Sequence, residues 1–254
     1  MNIEENLIWL DSVDSTNRYA LDRLEELPDA ALVVASKQTA GRGRHGRRWE
    51  SPPDTNLYAS FIMKRPGTNP AMASMAASLG ALDALREAAA GVGFWIKWPN
   101  DIFVRNCKIA GILCESCTGK TGIVAGIGTN INMPGAALDA IDQPATSLLK
   151  ETGREFNVKK FANQLALKLI EYYITYSISP EQLFERWRNE NLLLGHNVEI
   201  VTGSNTVRGT VCDIGRNGEL VLSVGTDTKR LFSGDVKINK NSIDFDLINR
   251  KFNC

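Results

Sequence analysis

Four arginines (Arg42, Arg44, Arg47 and Arg48) and three glycines (Gly41, Gly43 and Gly46) crowd into QTAGRGRHGRRW, the stretch from Gln38 to Trp49. Arginine presents a planar fork of N–H donors that matches phosphate and carboxylate. Glycine has no Cβ, so the backbone can come close to a ligand and turn in ways closed to other residues. Crowded like charges repel, and a ligand carrying several negative charges relieves that cost. Such a loop is expected to be mobile when empty and ordered around an anion. Trp49 ends the stretch with a flat apolar face on which a base or ring can lie. Two other readings compete: a solvated basic loop and a segment that binds nucleic acid.

The charge balance argues against a nucleic-acid polymer. Lys+Arg and Asp+Glu are both 29, and the basic excess is local to this block. Polymer binders are basic over a whole face, and their affinity falls steeply with salt. The chain of 254 residues is 43% hydrophobic, enough for a large core. No apolar run approaches the ~20 residues that span a bilayer, and MNIEENLIWLDS lacks the order of a secretory signal. A cytoplasmic protein with no membrane partner is expected. The five cysteines (Cys107, Cys114, Cys117, Cys212 and Cys254) suit a reducing compartment. Cys114 and Cys117 form a C-x-x-C, but the surrounding KIAGILCESC reads as a strand whose residues three apart point to opposite faces. Unpaired strand cysteines are expected there.

The elements that must position the loop can be read around it. DSTNRYALDRLEEL reads as a helix that Ser15 or Thr16 can cap. AALVVASKQ is a strand leading into the Arg/Gly stretch, and Asn56–Met63 is the next. NPAMASMAASLGALDALREAAAG is a long buried helix ended by Gly91. FWIKW, DIFVRNCKIAGILCES and TGIVAGIGTNINM are β-like, with a hairpin turn over Arg105 to Cys107. GAALDAIDQPATSLLKETG is loop with one short helix. Two helices follow, the second with Pro180 near its start. After Leu194 the chain becomes a run of short strands, with Asn217-Gly218 a strong hairpin turn. Strands and helices do not alternate regularly before that point. The expectation is an α+β domain with a mainly antiparallel mixed sheet packed with helices (residues 1–191), a small SH3-like β-barrel (192–240) and an unassigned tail (241–254).

Five segments carry a more specific signal together. DSTN at 14–17 opens the first helix, and QTAGRGRHGRRW follows the first main strand. KWPND at 97–101 precedes KIAGIL at 108–113, and GIGTNIN spans 126–132. In this order and with these gaps the set resembles the biotin protein ligases, whose recurring signatures are DST, GRGRxGRxW, KWPND, KxAGIL and GxGxN. The resemblance covers the catalytic domain, implies a class II synthetase-like fold, and accommodates the small barrel. Larger relatives carry an N-terminal helix-turn-helix domain that makes them repressors. Only ~13 residues precede DSTN here, too few for such a unit, so the monofunctional form is expected. The rival within the superfamily is a lipoate or octanoate ligase or transferase. From another class, the rival is a non-catalytic RNA-binding module.

The resemblance implies an ATP-dependent ligase that joins biotin to ATP as biotinyl-5′-AMP and then to a lysine of a biotin carboxyl carrier domain. It implies biotin, ATP and Mg²⁺ as ligands, no nucleic acid, and a homodimer as a plausible state. By motif, Ser15, Thr16, Asn17 and Gln38 would hold biotin's ureido ring. Gly41, Arg42, Gly43 and Arg44 would line the biotin side of the loop. Arg42, Arg44, Arg47 and Trp49 would face the nucleotide. Lys108 would bridge the biotin carboxylate and the α-phosphate, with Arg44 as its catalytic companion. Gly111 would let the ligand lie close to its strand, Asn130 would contact the nucleotide, and Asp101, with Asn100, would hold Mg²⁺. Each residue has a plainer reading: Ser15 as a helix cap, Asn130 and Asn132 as turn formers, Lys97 and Lys108 as exposed strand lysines, Trp95 and Trp98 as core. His45 and His196 are given no catalytic role.

Overall fold

The computed structural model describes residues 6–65, 69–119, 121–203 and 205–238. The tail 241–254, with Cys254, lies outside the described residues.

Seven strands form the first sheet: β1 (Leu7–Leu10), β2 (Leu32–Ala35), β3 (Leu57–Met63), β4 (Phe94–Lys97), β5 (Asp101–Val104), β6 (Cys107–Glu115) and β7 (Ile123–Thr129). Their order is β1-β2-β3-β7-β6-β5-β4. β1 and β2 are parallel and every other neighbouring pair is antiparallel. The mixed, mainly antiparallel sheet is therefore present. β1 was not foreseen, because LIWL is too short to show a period. β6 stops at Glu115, so Cys117 lies beyond the strand, and both cysteines of the C-x-x-C are free. The β5–β6 hairpin turns at Arg105 and Asn106, with Arg105 at φ 49°.

Helix α1 (Thr16–Asp22) covers one face of the sheet, against β2, β3 and β7. It is shorter than the sequence suggests, although Leu24 and Leu27 beyond it are still buried. Helices α2 (Pro70–Ala88), α5 (Val158–Ile178) and α6 (Pro180–Asn189) form a layer on the other face. Asn69 caps α2 by accepting from the Ala71 amide at 3.1 Å, and Pro70 sits at its first position. The small residues of α2 let α5 come close: a Cβ on Gly80 would stand 3.0 Å from Leu169 Cδ2. Two short helices, α3 (Gly135–Leu138) and α4 (Leu148–Thr152), replace the single one expected.

All seven residues of β3 are buried, because helices cover both faces. Leu57, Ala59, Phe61 and Met63 join the large core with α2 and α5, while Ile62 joins a smaller cluster with Ala20 and Leu24 beside α1. Each large side chain buried in this way contributes about 1.5–3 kcal/mol. The α1 face also carries the site.

Strands β8 (Asn197–Thr202), β9 (Asn205–Ile214), β10 (Leu220–Val224), β11 (Asp227–Leu231) and β12 (Asp235–Ile238) form a second, antiparallel sheet ordered β11-β10-β9-β8-β12. It is consistent with the SH3-like expectation. The chain turns between β9 and β10 at Gly215–Glu219, where Gly218 has φ 80°. The Trp98 indole donates to the Gly218 carbonyl at 2.7 Å. Val198, Ile200, Val211, Leu220 and Leu222 belong to the same apolar cluster as α2 and the first sheet.

Candidate active site

Side chains alternate faces along a strand, so register decides which residues meet. One row across the first sheet holds Lys97, Asp101, Gly111, Gly128 and Tyr58 as successive neighbours. The next row holds Leu113, Gly126 and Ser60. The rows are about 7 Å apart, two residues along a strand. Three glycines thus leave a bare backbone floor in the middle of a sheet that is side-chain-packed elsewhere. The Trp49 indole lies on that floor. A Cβ on Gly128 would run into the ring, and one on Gly111 would stand 3.1 Å from it and 2.9 Å from Lys108 Cε.

At one end of the floor the lining groups are mainly neutral and polar, with the Arg42–Glu115 ion pair at its margin. Ser15 occupies the N-cap position of α1 yet makes no capping hydrogen bond with its side chain. Its hydroxyl is left at the cavity, and the simple capping role fails. Gln38 Oε1 accepts from the Thr16 amide at 2.9 Å and from the Thr16 hydroxyl at 3.2 Å. Ser60 Oγ lies 2.8 Å from Thr16 Oγ1 and 2.6 Å from Asn17 Oδ1. Asn17 Nδ2 donates to the Leu113 carbonyl at 3.0 Å and to Glu115 at 2.8 Å. In the other direction Gln38 Nε2 donates to Ser51 Oγ at 3.0 Å, which donates to the Trp49 carbonyl at 2.9 Å. A single relay therefore runs from the end of β6 to the end of the Arg/Gly loop.

The other end is cationic. Lys108 Nζ pairs with Asp101 at 2.8 Å and lies 5.3 Å from the Trp49 ring centre. Asn100 is fixed to β6 through Ile112, whose amide donates to the Asn100 carbonyl at 3.0 Å and whose carbonyl accepts from the Asn100 side chain. Asn100 Oδ1 then accepts from Arg44 at 3.2 Å. Burial pushes the Arg44 guanidinium below its usual pKa, partly offset by Asp101. Burial does the same to Lys97, whose ammonium sits 4.5 Å from the Phe103 ring centre.

The loop itself is a small hairpin. Arg42 and Arg48 bridge, the Gly43 amide donates to the Arg47 carbonyl at 2.7 Å, and a 3₁₀ turn with His45 at φ 56° forms the tip. Its arginines reach three different elements: Arg42 to Glu115 at 2.7 Å, Arg44 to Asn100, and Arg47 to Asp235 of β12. The Arg47 hydrogen bond holds the Asp235 carboxyl below the usual carboxylate range.

The cavity enclosed by these groups is lined by Ser15, Thr16, Asn17, Gln38, Arg42, Gly43, Arg44, Arg47, Trp49, Asp101, Lys108 and Gly111 among others, so most residues singled out from sequence converge on it. Two do not line it. Gly41 lies under the loop, where a Cβ would stand 2.7 Å from Ser51 Oγ. Asn130 is buried and donates to the Thr146 carbonyl at 3.0 Å, tying β7 to the following loop. Lining residues that sequence reasoning missed include Tyr58, Gly126, Gly128, Gln143 and Asp235. The alternation of Gly126 and Gly128 was a usable signal, whereas nothing in the sequence links Asp235 to a loop nearly two hundred residues earlier. The cavity holds about 100 Å³, less than the 300–1,000 Å³ typical of a ligand site. Trp49 and the loop arginines fill part of the space above the glycine floor.

The family model for the biotin/lipoate A/B protein ligase family matches residues 9–132. The bifunctional ligase/repressor BirA of Salmonella typhimurium is 33% identical over 242 residues, 92% of this chain and 74% of that protein. This chain belongs to the biotin/lipoate A/B protein ligase family. The biotin–[acetyl-CoA-carboxylase] ligase of Paracoccus denitrificans, a family relative, is 33% identical over 82% of this chain and 90% of its own length. The solved structure of the Aquifex aeolicus biotin protein ligase with biotin and ATP superposes with a TM-score of 0.77 at 28% identity, covering 92% of this chain and 99% of that one. The ligase-family fold thus extends through the second sheet.

Proposed function

We propose that this chain is a biotin protein ligase. The observation that carries the reading is the division of one cavity into a neutral hydrogen-bonding end and a cationic end, joined by a glycine floor. A ureido ring matches the neutral end, around Ser15, Thr16, Asn17 and Gln38. A carboxylate and a nucleotide phosphate, which repel one another, match the cationic end. Relatives named as biotin ligases, and a structural neighbour holding biotin and ATP, support biotin over lipoate.

In the first step a biotin carboxylate oxygen attacks the α-phosphorus of ATP. The new P–O bond forms as the bond to the β-phosphate oxygen breaks, and pyrophosphate leaves. Lys108 and Arg44, at the cationic end, would supply fixed donors for the charge that accumulates on the five-coordinate phosphorus. In the second step a lysine amine of a carrier domain attacks the acyl carbon. The C–N bond forms, AMP leaves with the bridging oxygen, and the amine proton passes to solvent. The loop over the cavity excludes water from the mixed anhydride between the steps.

Mg²⁺ would enter with ATP. The described residues contain no cluster of three or more metal-binding side chains, and Mg²⁺ bound through phosphates needs only one or two carboxylates. Asp101 is the carboxylate beside Lys108 and would serve once the phosphates take over the lysine. The partner would be a biotin carboxyl carrier domain, a homodimer is the proposed assembly, and the proposed division is 1–191 and 192–240. No helix among the described residues is long and apolar enough to cross a membrane, which accords with a cytoplasmic site of action.

Calorimetric titration with biotin, then lipoate, each with and without MgATP, tests the reading. Biotin should bind, and MgATP should make binding effectively irreversible with pyrophosphate released. A response to lipoate alone would move the chain to the lipoate branch of the family.

A further inference from the structure

Glu115 ends β6 one row beyond Leu113, opposite Val124. It does not line the cavity. One of its oxygens, Oε2, accepts both from Asn17 at 2.8 Å and from Arg42 at 2.7 Å. Asn17 is a firm anchor, held also by the Leu113 carbonyl and Ser60. Arg42 is the base of the loop hairpin through its bridge to Arg48. The pair therefore fastens the loop to the fixed end of the site.

The three ties of the loop differ in what competes with them. Arg44 and Arg47 lie at the cationic end, where phosphate oxygens would draw them from Asn100 and Asp235. A nucleotide-facing role was expected of Arg42, but its guanidinium meets Glu115 beside Asn17, at the end where an uncharged ureido ring would offer no rival anion. Once the cavity is loaded, this tie is the one that persists. We propose that Glu115 is a positioning residue that holds the loop shut and sets how long the acyl-adenylate is retained, without taking part in making it. The proposal rests on the ligase reading above. The two side chains are 42% and 26% exposed, so the tie is weak enough to open unaided.

Two measurements on Glu115→Gln test it. In ligand-free protein, trypsin should cut at Arg44 to Arg48 several-fold faster than in wild type. After biotin and MgATP are supplied and free ligand is removed, bound biotinyl-adenylate should be lost roughly fivefold faster, while ATP–pyrophosphate exchange at saturating biotin stays within about twofold, because glutamine keeps an acceptor oxygen for Asn17. Glu115→Asp should recover part of the retention. Arg42→Gln removes the other partner, leaves Asn17 intact and should reproduce the faster cleavage. Unchanged cleavage in Glu115→Gln overturns the tie, and so does faster cleavage that Arg42→Gln fails to reproduce. Faster cleavage with unchanged adenylate loss overturns the retention role. A wild-type protein that forms no biotinyl-adenylate sinks the ligase reading instead, and the trypsin comparison still decides whether Glu115 holds the loop.

Discussion

Lys108 and Asp101 form an ion pair of 2.8 Å on adjacent strands at the cationic end of the cavity. Their side chains are 14% and 25% exposed, so neither charge is freely solvated. Without its partner, each becomes a partly buried, uncompensated charge. On the proposed ligase reading, an arriving carboxylate and phosphate would replace Asp101 on the lysine.

Lys108→Met should therefore lower single-turnover pyrophosphate release by about 100- to 1,000-fold, the usual loss for one preorganised donor. Biotin affinity without ATP should fall far less. The double variant Lys108→Met/Asp101→Asn should regain thermal stability over the single variant but no activity, because it removes the stranded carboxylate without restoring the cation.

Gly126→Ala places a methyl group on the Asn17 side chain, which three hydrogen bonds hold in place. Biotin affinity measured by calorimetry should drop by at least about tenfold, or 1.4 kcal/mol. Gly46→Ala is the comparison: its φ of 73° strains an alanine, but nothing lies within 4 Å of the new Cβ. It should cost about 1 kcal/mol of stability and leave biotin binding nearly unchanged.

The acid limb of stability should depend on Asp235 and Asp213. Both carboxyls are held below their usual pKa, chiefly by hydrogen bonds from Arg47 and Arg188. A lowered folded-state pKa means that the contribution is present above the unfolded value, near pH 4, and is lost as pH falls through the folded value. Both aspartates are about half exposed, so the effect should be modest and should shrink in salt. Unfolding midpoints between pH 6 and pH 2 should fall less steeply in Asp235→Asn than in wild type.

Trp98→Phe keeps a large apolar ring in the core but removes the 2.7 Å hydrogen bond to the Gly218 carbonyl. That carbonyl is left without this donor, at a cost of about 1–3 kcal/mol. The urea midpoint should shift accordingly. Biotin binding should hold, because Trp98 does not line the cavity.

The site was more legible than the scaffold. DSTN, the Arg/Gly stretch and KIAGIL stand out because each is an unusual set of residue types, and the structure brings residues of all three to one cavity. Gly126 and Gly128 could have been found from their alternation, since a strand places residues two apart on one face. β1 could not, because four apolar residues carry no period. Ser15 read equally well as a cap until the helix formed without using its hydroxyl. Asn130 sits inside a glycine-rich motif yet serves the backbone of the next loop. Asp235 was invisible, since the contact depends on how the second sheet docks and leaves no local trace.

The apolar cluster that runs unbroken from the first sheet and α2 into the second sheet decides how the protein can open. Two bodies that share one interior cannot hinge apart like a clam without exposing it. Any part that moves over the site would then be the short hairpin from Arg42 to Arg48, which is tied by three arginine hydrogen bonds and adds no residue to that cluster. A fixed frame with a small door is the expected behaviour, and the rate of ligand exchange should follow the door's fastenings and be nearly indifferent to the stability of the frame.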